Sequence, residues 1–355
     1  MPSYSELRDL IKKYERHVSV GAVVFGFIWD SLTLGRPDSL FNNIVFVAYL
    51  TIAAGAIVII AIYERQKREP PILALPVMQF SFGNLAGGLF VVYGQSGSFE
   101  GNWLFFLILL AFLFGNEFLR TYYARLSFHI AAWYFLLFAY VAIIVPILFG
   151  SVGDALFVLS GIVSLAFVTL FLLLLRSIAR ERVVLARRQN ILLIASVFAL
   201  WNALYFTHVL PPVPLALTSI GVYHHMVKLS SGDYEATYER PEWWQFTRAT
   251  SNVFVRPTGA PAYCASAVFA PARLSANIEH HWEHYDEAAK EWDVRSIISF
   301  PVSGGREEGY RGYSIKFDLP EGRWRCSVRT AGGGLVGRTT FEVREGIPEL
   351  ERSVW

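Results

Sequence analysis

Seven apolar stretches in the first 207 residues constrain the fold of this chain more than any other feature. A bilayer core of about 30 Å needs roughly 20 apolar residues in a helix, with about 17 as a practical minimum. The seven stretches are 18–34, 43–63, 72–93, 103–119, 128–149, 155–175 and 191–207. The sequence therefore predicts an α-helical transmembrane bundle of about seven spans over 18–207.

The composition divides the chain into a membrane part and a soluble part. Of the 355 residues, 54% are hydrophobic and 17% are charged, against about 25% charged in average soluble domains. These values exclude a disordered chain and a disulfide-rich miniprotein, and they argue against an all-soluble enzyme. Residues 1–228 have a net charge of +5 and residues 229–355 a net charge of −3. The total of +2 gives no support to a nucleic-acid partner.

The distribution of Lys and Arg predicts the orientation. Cytoplasmic loops are enriched in these residues. Alternate connections, beginning with the N-terminal arm, hold 14 of them, whereas the connections between hold one. We therefore expect a cytoplasmic N-terminus and a C-terminal domain on the opposite side. The arm, 1–17, fits an amphipathic helix on anionic lipid, with a solvated lead-in as the alternative.

The segment that follows the last stretch is apolar but interrupted by proline. Residues 208–227 contain Pro211, Pro212 and Pro214, and proline excludes regular helix there. We interpret 208–262 as an interfacial segment and linker. An eighth span within 208–227 is the alternative, and it would reverse the side of the C-terminal domain.

Polar residues within or beside the apolar stretches are candidate functional groups, because ionisable side chains are costly in hydrocarbon. Interhelical hydrogen bonding is the favoured interpretation, and a substrate or proton path is the alternative. The candidates are Asp30, Asn84, Glu117, Asn202 and His208.

The second part of the chain alternates polar and apolar residues with the period of a β-strand. Turn residues separate the runs 263–269, 274–282, 294–303, 310–319, 323–330 and 335–343. This pattern predicts a small all-β, Ig-like sandwich over 263–344 with a tail over 345–355. Cys264 and Cys326 could form a disulfide or could be two small buried hydrophobic residues.

Two clusters in this domain are candidate sites. The run from Ser303 to Ser314 holds two arginines that could grip an anion and aromatic rings that, with Trp282, could stack on a sugar or a peptide. The alternative for this run is a loop latched by Arg–Glu pairs. The predicted binding residues are Arg306, Glu308, Tyr310, Arg311, Tyr313, His280 and Trp282.

The second cluster is a histidine-rich run. Zinc binding through His280, His281 and His284 is conceivable, but strand alternation splits these side chains between two faces. We therefore predict no metal, no cofactor and no catalytic residue.

A resemblance to a known family covers most of the chain. The matching residues are Ala270-Pro271 with Leu274, His280 with Trp282, Gly304-Gly305-Arg306 with Gly309-Tyr310-Arg311, Ser314 with Lys316, Gly322 with Trp324, and Gly337-Arg338 with Phe341. The C-terminal part thereby resembles the domain of unknown function 2914. The first part, with WDSLT, FSFGNL and LPPVPLAL, is similar to multi-pass bacterial members. The resemblance implies a bacterial envelope protein but no activity.

These observations favour a non-enzymatic protein of the bacterial inner membrane. We expect it to present a periplasmic sandwich to a protein or glycan, as an accessory or scaffold subunit of a membrane complex. Its expected partners are membrane lipids and other subunits of that complex. The alternative is an enzyme or transporter that acts on a lipid-linked or envelope substrate through polar residues of the bundle.

Overall fold

The structure is a computed structural model of the whole chain. It describes residues 37–97, 99–118, 126–230, 232–245, 248–306 and 308–354, without the side chains of 99–100 and 112–118. The predicted arm 1–17, the first predicted span 18–34, and the side chains of Asp30 and Glu117 lie outside this description.

The first part of the described chain is helical. Its seven helices are α1 (Leu40–Arg65), α2 (Ala74–Gln95), α3 (Phe99–Phe118), α4 (Leu126–Phe149), α5 (Asp154–Ile178), α6 (Arg180–Leu185) and α7 (Arg187–Phe206). Five of them, α1, α2, α4, α5 and α7, are long and apolar enough to cross a membrane. In α3 the apolar helical stretch is shorter, Gly101–Ala111. These helices are compatible with a membrane-spanning part, and the count of seven spans remains a prediction.

Helix α4 is the centre of the helical unit. Most of its residues are buried, and they include the ionisable side chain of His129. Trp133 of α4 donates from Nε1 to the carbonyl of Leu50 in α1, 2.9 Å away. Tyr93 of α2 donates to the carbonyl of Ala139 at 2.9 Å. Apolar surface gains nothing by leaving lipid, so such hydrogen bonds and close packing hold membrane helices together.

An aromatic cluster packs around Trp201 of α7. The Trp201 ring is fully buried, with the ring of Phe138 at 5.3 Å and that of Phe135 at 5.3 Å. Large rings at these separations bury much area and fix the packing geometry.

The second part of the described chain contains eleven strands. They are β1 (Ala216–Tyr223), β2 (His225–Lys228), β3 (Tyr234–Tyr238), β4 (Val253–Arg256), β5 (Ala262–Phe269), β6 (Ser275–Asp286), β7 (Glu291–Ser303), β8 (Tyr310–Lys316), β9 (Gly322–Thr330), β10 (Leu335–Glu345) and β11 (Glu351–Val354). The six predicted strands coincide with β5 to β10, because their alternation matches the pleat of a sheet with one buried face.

Three sheets form the β unit in the described part. The strand orders are β1-β5-β8, β4-β10-β9-β6-β7 and β11-β3-β2. The first two sheets share an apolar core that includes Val222, Trp282, Trp324 and Phe341. Met226 and Ala236 of the third sheet pack against Tyr223 and Ala265, on the other face of the first sheet.

The segment 208–262 differs from its prediction as an interfacial segment and linker. It supplies β1 to β4, and β1 lies beside β5 within the first sheet. Residues 216–223, which an eighth span would require as helix, are therefore extended. The three prolines that exclude helix stand just before β1, and the run ALTSIGVY that follows finds its partner only in the folded β unit.

Two connections between helices belong to the β unit. The chain divides into a helical unit and a β unit, and the β unit takes in Gln95–Gly101 and Gly150–Val152 as well as Pro211–Trp355. The amide of Ser275 donates to the carbonyl of Gly150 at 3.0 Å, and Val152 packs against a core cluster of the β unit. The β unit is thus assembled from segments that are distant in sequence.

Substitution of Gly161 tests the close packing of the helical unit. A Cβ at this position in α5 would lie 3.0 Å from the ring of Phe198 and 3.4 Å from that of Phe138. We expect Gly161→Leu to lower the free energy of unfolding by about 1–3 kcal/mol through overpacking, measured by thermal loss of helical circular dichroism in detergent. Gly55→Leu is the matched control, since nothing lies within 4 Å of a Cβ there. Equal losses in both variants would contradict this account.

Candidate functional site

The predicted binding residues of the glycine-rich run lie at the edge strand β8 and in the loop that leads into it. The first sheet ends with β8, and Arg306 and Glu308 lie in the loop between β7 and β8. The guanidinium carbon of Arg306 lies 5.3 Å from the centre of the Tyr310 ring, a cation–π distance. Arg306 is exposed and Tyr310 is partly exposed, so both can reach a partner.

Arg311 is held by two carboxylates. Its guanidinium pairs with Asp233 at 3.3 Å and with Glu308. This geometry agrees with the alternative of an Arg–Glu latch. Arg311 therefore positions the loop, and Arg306 is the more accessible cation for an anionic group.

Three tyrosine rings, from β3, β5 and β8, lie together on the face of the first sheet that packs against the third sheet. The ring of Tyr313 lies 5.9 Å from that of Tyr234 and 5.8 Å from that of Tyr263. Burial and the nearby Tyr310 and Tyr313 raise the pKa of Tyr234, and the charges of the two arginines oppose this shift. We name Arg306, Tyr310, Arg311, Tyr313 and Tyr234 the Arg/Tyr surface.

Sequence reasoning missed Tyr234 and Tyr263. Tyr234 lies in β3, within the segment interpreted as a linker. Tyr263 was recognised as the start of a strand, but its contact with Tyr313 depends on the pairing of β5 with β8. The alternating run YEATY in β3 was the available signal for Tyr234.

His280 and Trp282 are not surface residues. Both are fully buried, because their strand turns them into the space between the first two sheets. This corrects the expectation that Trp282 stacks on a sugar or peptide. Their role is internal to the fold.

These two residues belong to a buried polar network. His280 Nε2 lies 2.8 Å from the hydroxyl of Ser266 and His280 Nδ1 lies 2.9 Å from that of Ser314. Trp282 Nε1 donates to the same Ser314 hydroxyl at 3.0 Å. Burial, aided by the nearby His281, lowers the pKa of His280 to about 3. The imidazole is therefore neutral, with one nitrogen donating and the other accepting.

A disulfide lies beside this network. Cys264 of β5 and Cys326 of β9 are bonded, and both are fully buried. The ligand atoms of Cys264, His280 and Cys326 all lie within 4.8 Å of one another. This group is not the three-histidine set considered for zinc. In that set, His281 Nε2 lies 2.9 Å from a carboxylate oxygen of Glu279, and the His284 ring lies against the Trp324 ring with the ring centres 4.8 Å apart.

The opposite face of β6 bears a charged pair that sequence reasoning did not single out. Arg325 donates to both carboxylate oxygens of Glu283, at 2.7 and 2.8 Å, and Ser327 donates to the same group at 2.6 Å. Arg325 also stacks over Trp292 at 4.3 Å. Burial raises the pKa of Glu283, but the hydrogen bonds from Arg325 and Ser327 and the charges of Arg325 and Arg329 together hold it below its ordinary value. This bidentate pair links β6 to β9.

The polar candidates of the helical unit do not come together among the side chains that the structure describes. Asn84 donates to the carbonyl of Phe80 and Asn202 to that of Phe198, each at 2.8 Å and within its own helix. His208 is exposed, with a φ of 56° just after α7. Asp30 and the side chain of Glu117 lie outside the described residues.

Comparison with known proteins identifies only the C-terminal region. The model of the family described as "Protein of unknown function (DUF2914)" matches residues 275–343, which confirms the resemblance there. No curated protein matches the chain. Among solved structures, the chain is similar to "Pseudomonas fluorescens alkylpurine DNA glycosylase AlkC bound to DNA containing an abasic site analog". That likeness has 12% identity over 86% of this chain and 99% of the other, with a TM-score of 0.22, and carries no argument about fold or function.

Removal of the Ser314 hydroxyl tests the buried network. We expect Ser314→Ala to lower the free energy of unfolding by about 2–3 kcal/mol, because a buried imidazole nitrogen and the Trp282 N–H lose their partner. Ser299→Ala is the control, since Ser299 contacts Glu279 at an exposed site and should change stability by less than about 0.5 kcal/mol. Chemical denaturation followed by tryptophan fluorescence measures both. A Ser314→Ala effect as small as the control's would contradict the network.

The buried imidazole also predicts a pH dependence of stability. The pKa of His280 falls from an ordinary value of 6.5 to about 3 on folding, so between these values the unfolded chain binds a proton that the folded chain does not. Stability should therefore fall by about 1.4 kcal/mol for each pH unit below 6.5. The window from pH 6.5 to 5 separates this effect from carboxylate titration. In His280→Gln the dependence of the unfolding free energy on pH in this window should disappear. If that dependence persists, another titrating group causes it.

Proposed function

We propose that this chain is a non-enzymatic integral membrane protein whose β unit is an Ig-like recognition module. In this proposal it is an accessory or scaffold subunit of a larger complex in a bacterial inner membrane. The observation that supports the proposal is that the edge strand β8 and the loop before it bear a cation–π pair, Arg306 with Tyr310, on one face of the first sheet and Tyr313 on the other. Arginine and tyrosine are enriched among the residues that dominate binding energy in protein interfaces.

The edge strand indicates how a partner would bind. One side of β8 pairs with β5, and β8 is the last strand of its sheet. An edge strand presents backbone donors and acceptors that an extended segment of another protein can pair with. The side chains of Arg306 and Tyr310 flank this edge and would supply selectivity. We therefore favour a protein partner that offers an extended segment over a glycan.

The helix connections support a periplasmic location of the β unit. Gln95–Gly101 and Gly150–Val152 belong to the β unit, and neither contains Lys or Arg. The connection between α5 and α7 contains Arg180 and Arg182, and α7 begins with Arg187 and Arg188. Because cytoplasmic connections are enriched in Lys and Arg, this distribution favours the β unit on the other side.

The disulfide is a second, independent support for this location. Disulfides persist in oxidising compartments such as the bacterial periplasm and are rare in the cytosol. The Cys264–Cys326 bond lies in the β unit, and these are the two cysteines of the sequence.

The alternative of an enzyme or transporter receives no support from the residues that the structure describes. A cavity lined by the intramembrane polar groups would require their side chains to converge. The side-chain amides of Asn84 and Asn202 instead donate to backbone carbonyls of their own helices. His208 is exposed beyond the end of α7.

Position-specific photo-crosslinking in intact cells tests the proposal. With a photoreactive phenylalanine derivative in place of Tyr310, we expect a discrete adduct with one integral membrane protein. The same derivative in place of Val294, which is 46% exposed on the other sheet, is the matched control and should give none. Adding Arg306→Glu should reduce the Tyr310 adduct roughly fivefold or more, since truncation of an arginine that dominates an interface costs more than about 1 kcal/mol.

Several results would overturn this proposal. Equal adducts at Tyr310 and Val294 would show nonspecific proximity, and no adduct at Tyr310 would exclude a partner at β8. A carbohydrate-bearing adduct would replace the protein partner with a glycan.

A further inference from the structure

We propose that the short helix α6 and the helix ends beside it bind an anionic phospholipid of the bilayer. Helix α6 lies between α5 and α7, and both of these are long and apolar enough to cross a membrane. Only residues 179–186 join the two helices, and a connection of this length keeps α6 at the membrane–water interface. This inference rests on the membrane-spanning helices of the proposed function but not on a partner at the Arg/Tyr surface, so crosslinking at Tyr310 and lipid binding succeed or fail separately.

The connection that contains α6 is strongly cationic. From Arg176 to Arg188 the sequence holds five arginines and one acidic residue, Glu181. The side chains of Arg180, Arg187 and Arg188 are exposed. The planar guanidinium of arginine binds phosphate through two parallel hydrogen bonds, and basic clusters beside membrane helices bind anionic headgroups. The charge of this connection therefore matches the phosphate of an anionic lipid.

The beginning of α7 has a second preference for an anion. Its first turn holds Arg187 and Arg188 but no acidic residue, and its N-cap residue, Ala186, makes no side-chain capping hydrogen bond. The positive end of a helix dipole favours anions and disfavours cations. These two arginines therefore cost stability unless a negative group lies beside them, and a phosphate at this place interacts favourably with both the arginines and the helix end.

A buried amide lies in the same first turns of α7. Asn190 is 3% exposed, and neither its side-chain oxygen nor its side-chain nitrogen has a hydrogen-bond partner in the part of the chain that the structure describes. Its backbone amide donates to the carbonyl of Ala186 at 2.8 Å, which places Asn190 one turn beyond the N-cap. A buried polar group without a partner is costly, and the ester and hydroxyl oxygens of a phospholipid can accept hydrogen bonds from this amide.

Exposed apolar side chains beside the arginines favour a lipid over a soluble anion. In α6, Val184 is 49% exposed and Leu185 is 84% exposed. The exposed apolar surface continues along both neighbouring helices, at Leu173 and Leu174 of α5 and at Ile191 and Leu192 of α7. The acyl chains of a phospholipid would cover this surface, whereas a soluble phosphate would leave it in contact with water.

Contacts with α1 define which arginines are available. Arg65 at the end of α1 donates from Nη1 to the carbonyl of Ile178 at 2.6 Å, which joins the end of α1 to the end of α5. The charge of Arg182 acts on the carboxylate of Glu64 in α1, so Arg182 is partly neutralised by the protein itself. The two arginines in the first turn of α7 therefore carry most of the proposed recognition.

Lipid retention by the full-length protein tests the site. The protein is purified in detergent, mixed with equal amounts of phosphatidylglycerol and phosphatidylethanolamine, and analysed by native mass spectrometry. We expect phosphatidylglycerol to be retained roughly tenfold or more over the zwitterionic lipid, because several arginines contribute to its binding. Equal retention of the two lipids would overturn the proposal. Displacement of the lipid by millimolar inorganic phosphate would also overturn it and would identify a soluble anion as the ligand.

Paired substitutions assign the retention to α7. Arg187→Gln with Arg188→Gln should reduce phosphatidylglycerol retention roughly tenfold or more. The same variant should be no less stable than the wild type in lipid-free detergent, measured by thermal loss of helical circular dichroism, because it removes two cations from the positive end of a helix. A purely structural role of these arginines would instead lower stability.

The matched control removes the same charge from the β unit. The side chains of Arg240 and Arg352 are 76% and 78% exposed, and Arg240→Gln with Arg352→Gln should leave lipid retention unchanged. Equal losses in the two double variants would reduce the effect to net charge and overturn the site. Undiminished retention in the Arg187 and Arg188 variant would overturn it as well.

Discussion

The two main sheets of the β unit are joined through their centre by the Cys264–Cys326 bond and by the hydrogen bonds of His280 to Ser266 and Ser314. These links hold β5 and β8 of one sheet against β6 and β9 of the other. Among the described strands β8 pairs only with β5, so its position depends on this central attachment. The geometry of the Arg/Tyr surface at β8 therefore depends on the packing of the buried residues between the two sheets.

A polar centre is costly unless each of its groups is paired, and here the pairing is close to complete. A neutral imidazole has one donor and one acceptor, and two hydroxyls meet both of them while Trp282 donates to Ser314. Such a network specifies one packing of the sheets, because any slip would leave several buried groups unpaired. The bidentate Glu283–Arg325 pair adds a link of the same kind on the outer face.

Predictions from the local sequence pattern agreed with the structure where the pattern of a single helix or strand was sufficient. The apolar runs predicted the five long helices, and strand alternation predicted β5 to β10, since burial of one face requires that period. The strands β1 to β4 and β11 were missed. The strands β1, β4 and β11 pair with strands distant in sequence, and β2 and β3, which pair with each other, are only four and five residues long. Trp282 was assigned to the surface because a motif shows which residues stand together but not which way a strand faces. The pairing of Arg311 could not be predicted because it depends on Asp233, which lies just before β3 and 78 residues away in sequence.

The sequence by itself determined that the chain has a part of long apolar helices and a β-rich part, because both follow from the period and length of apolar runs. It also determined which residues alternate along each strand. Only the tertiary structure decided which faces are buried, which helix connections join the β unit, and that two cysteines and a histidine meet in its core. These features depend on pairing between strands far apart in the chain, and the free energy of that pairing appears only when the sheets pack together.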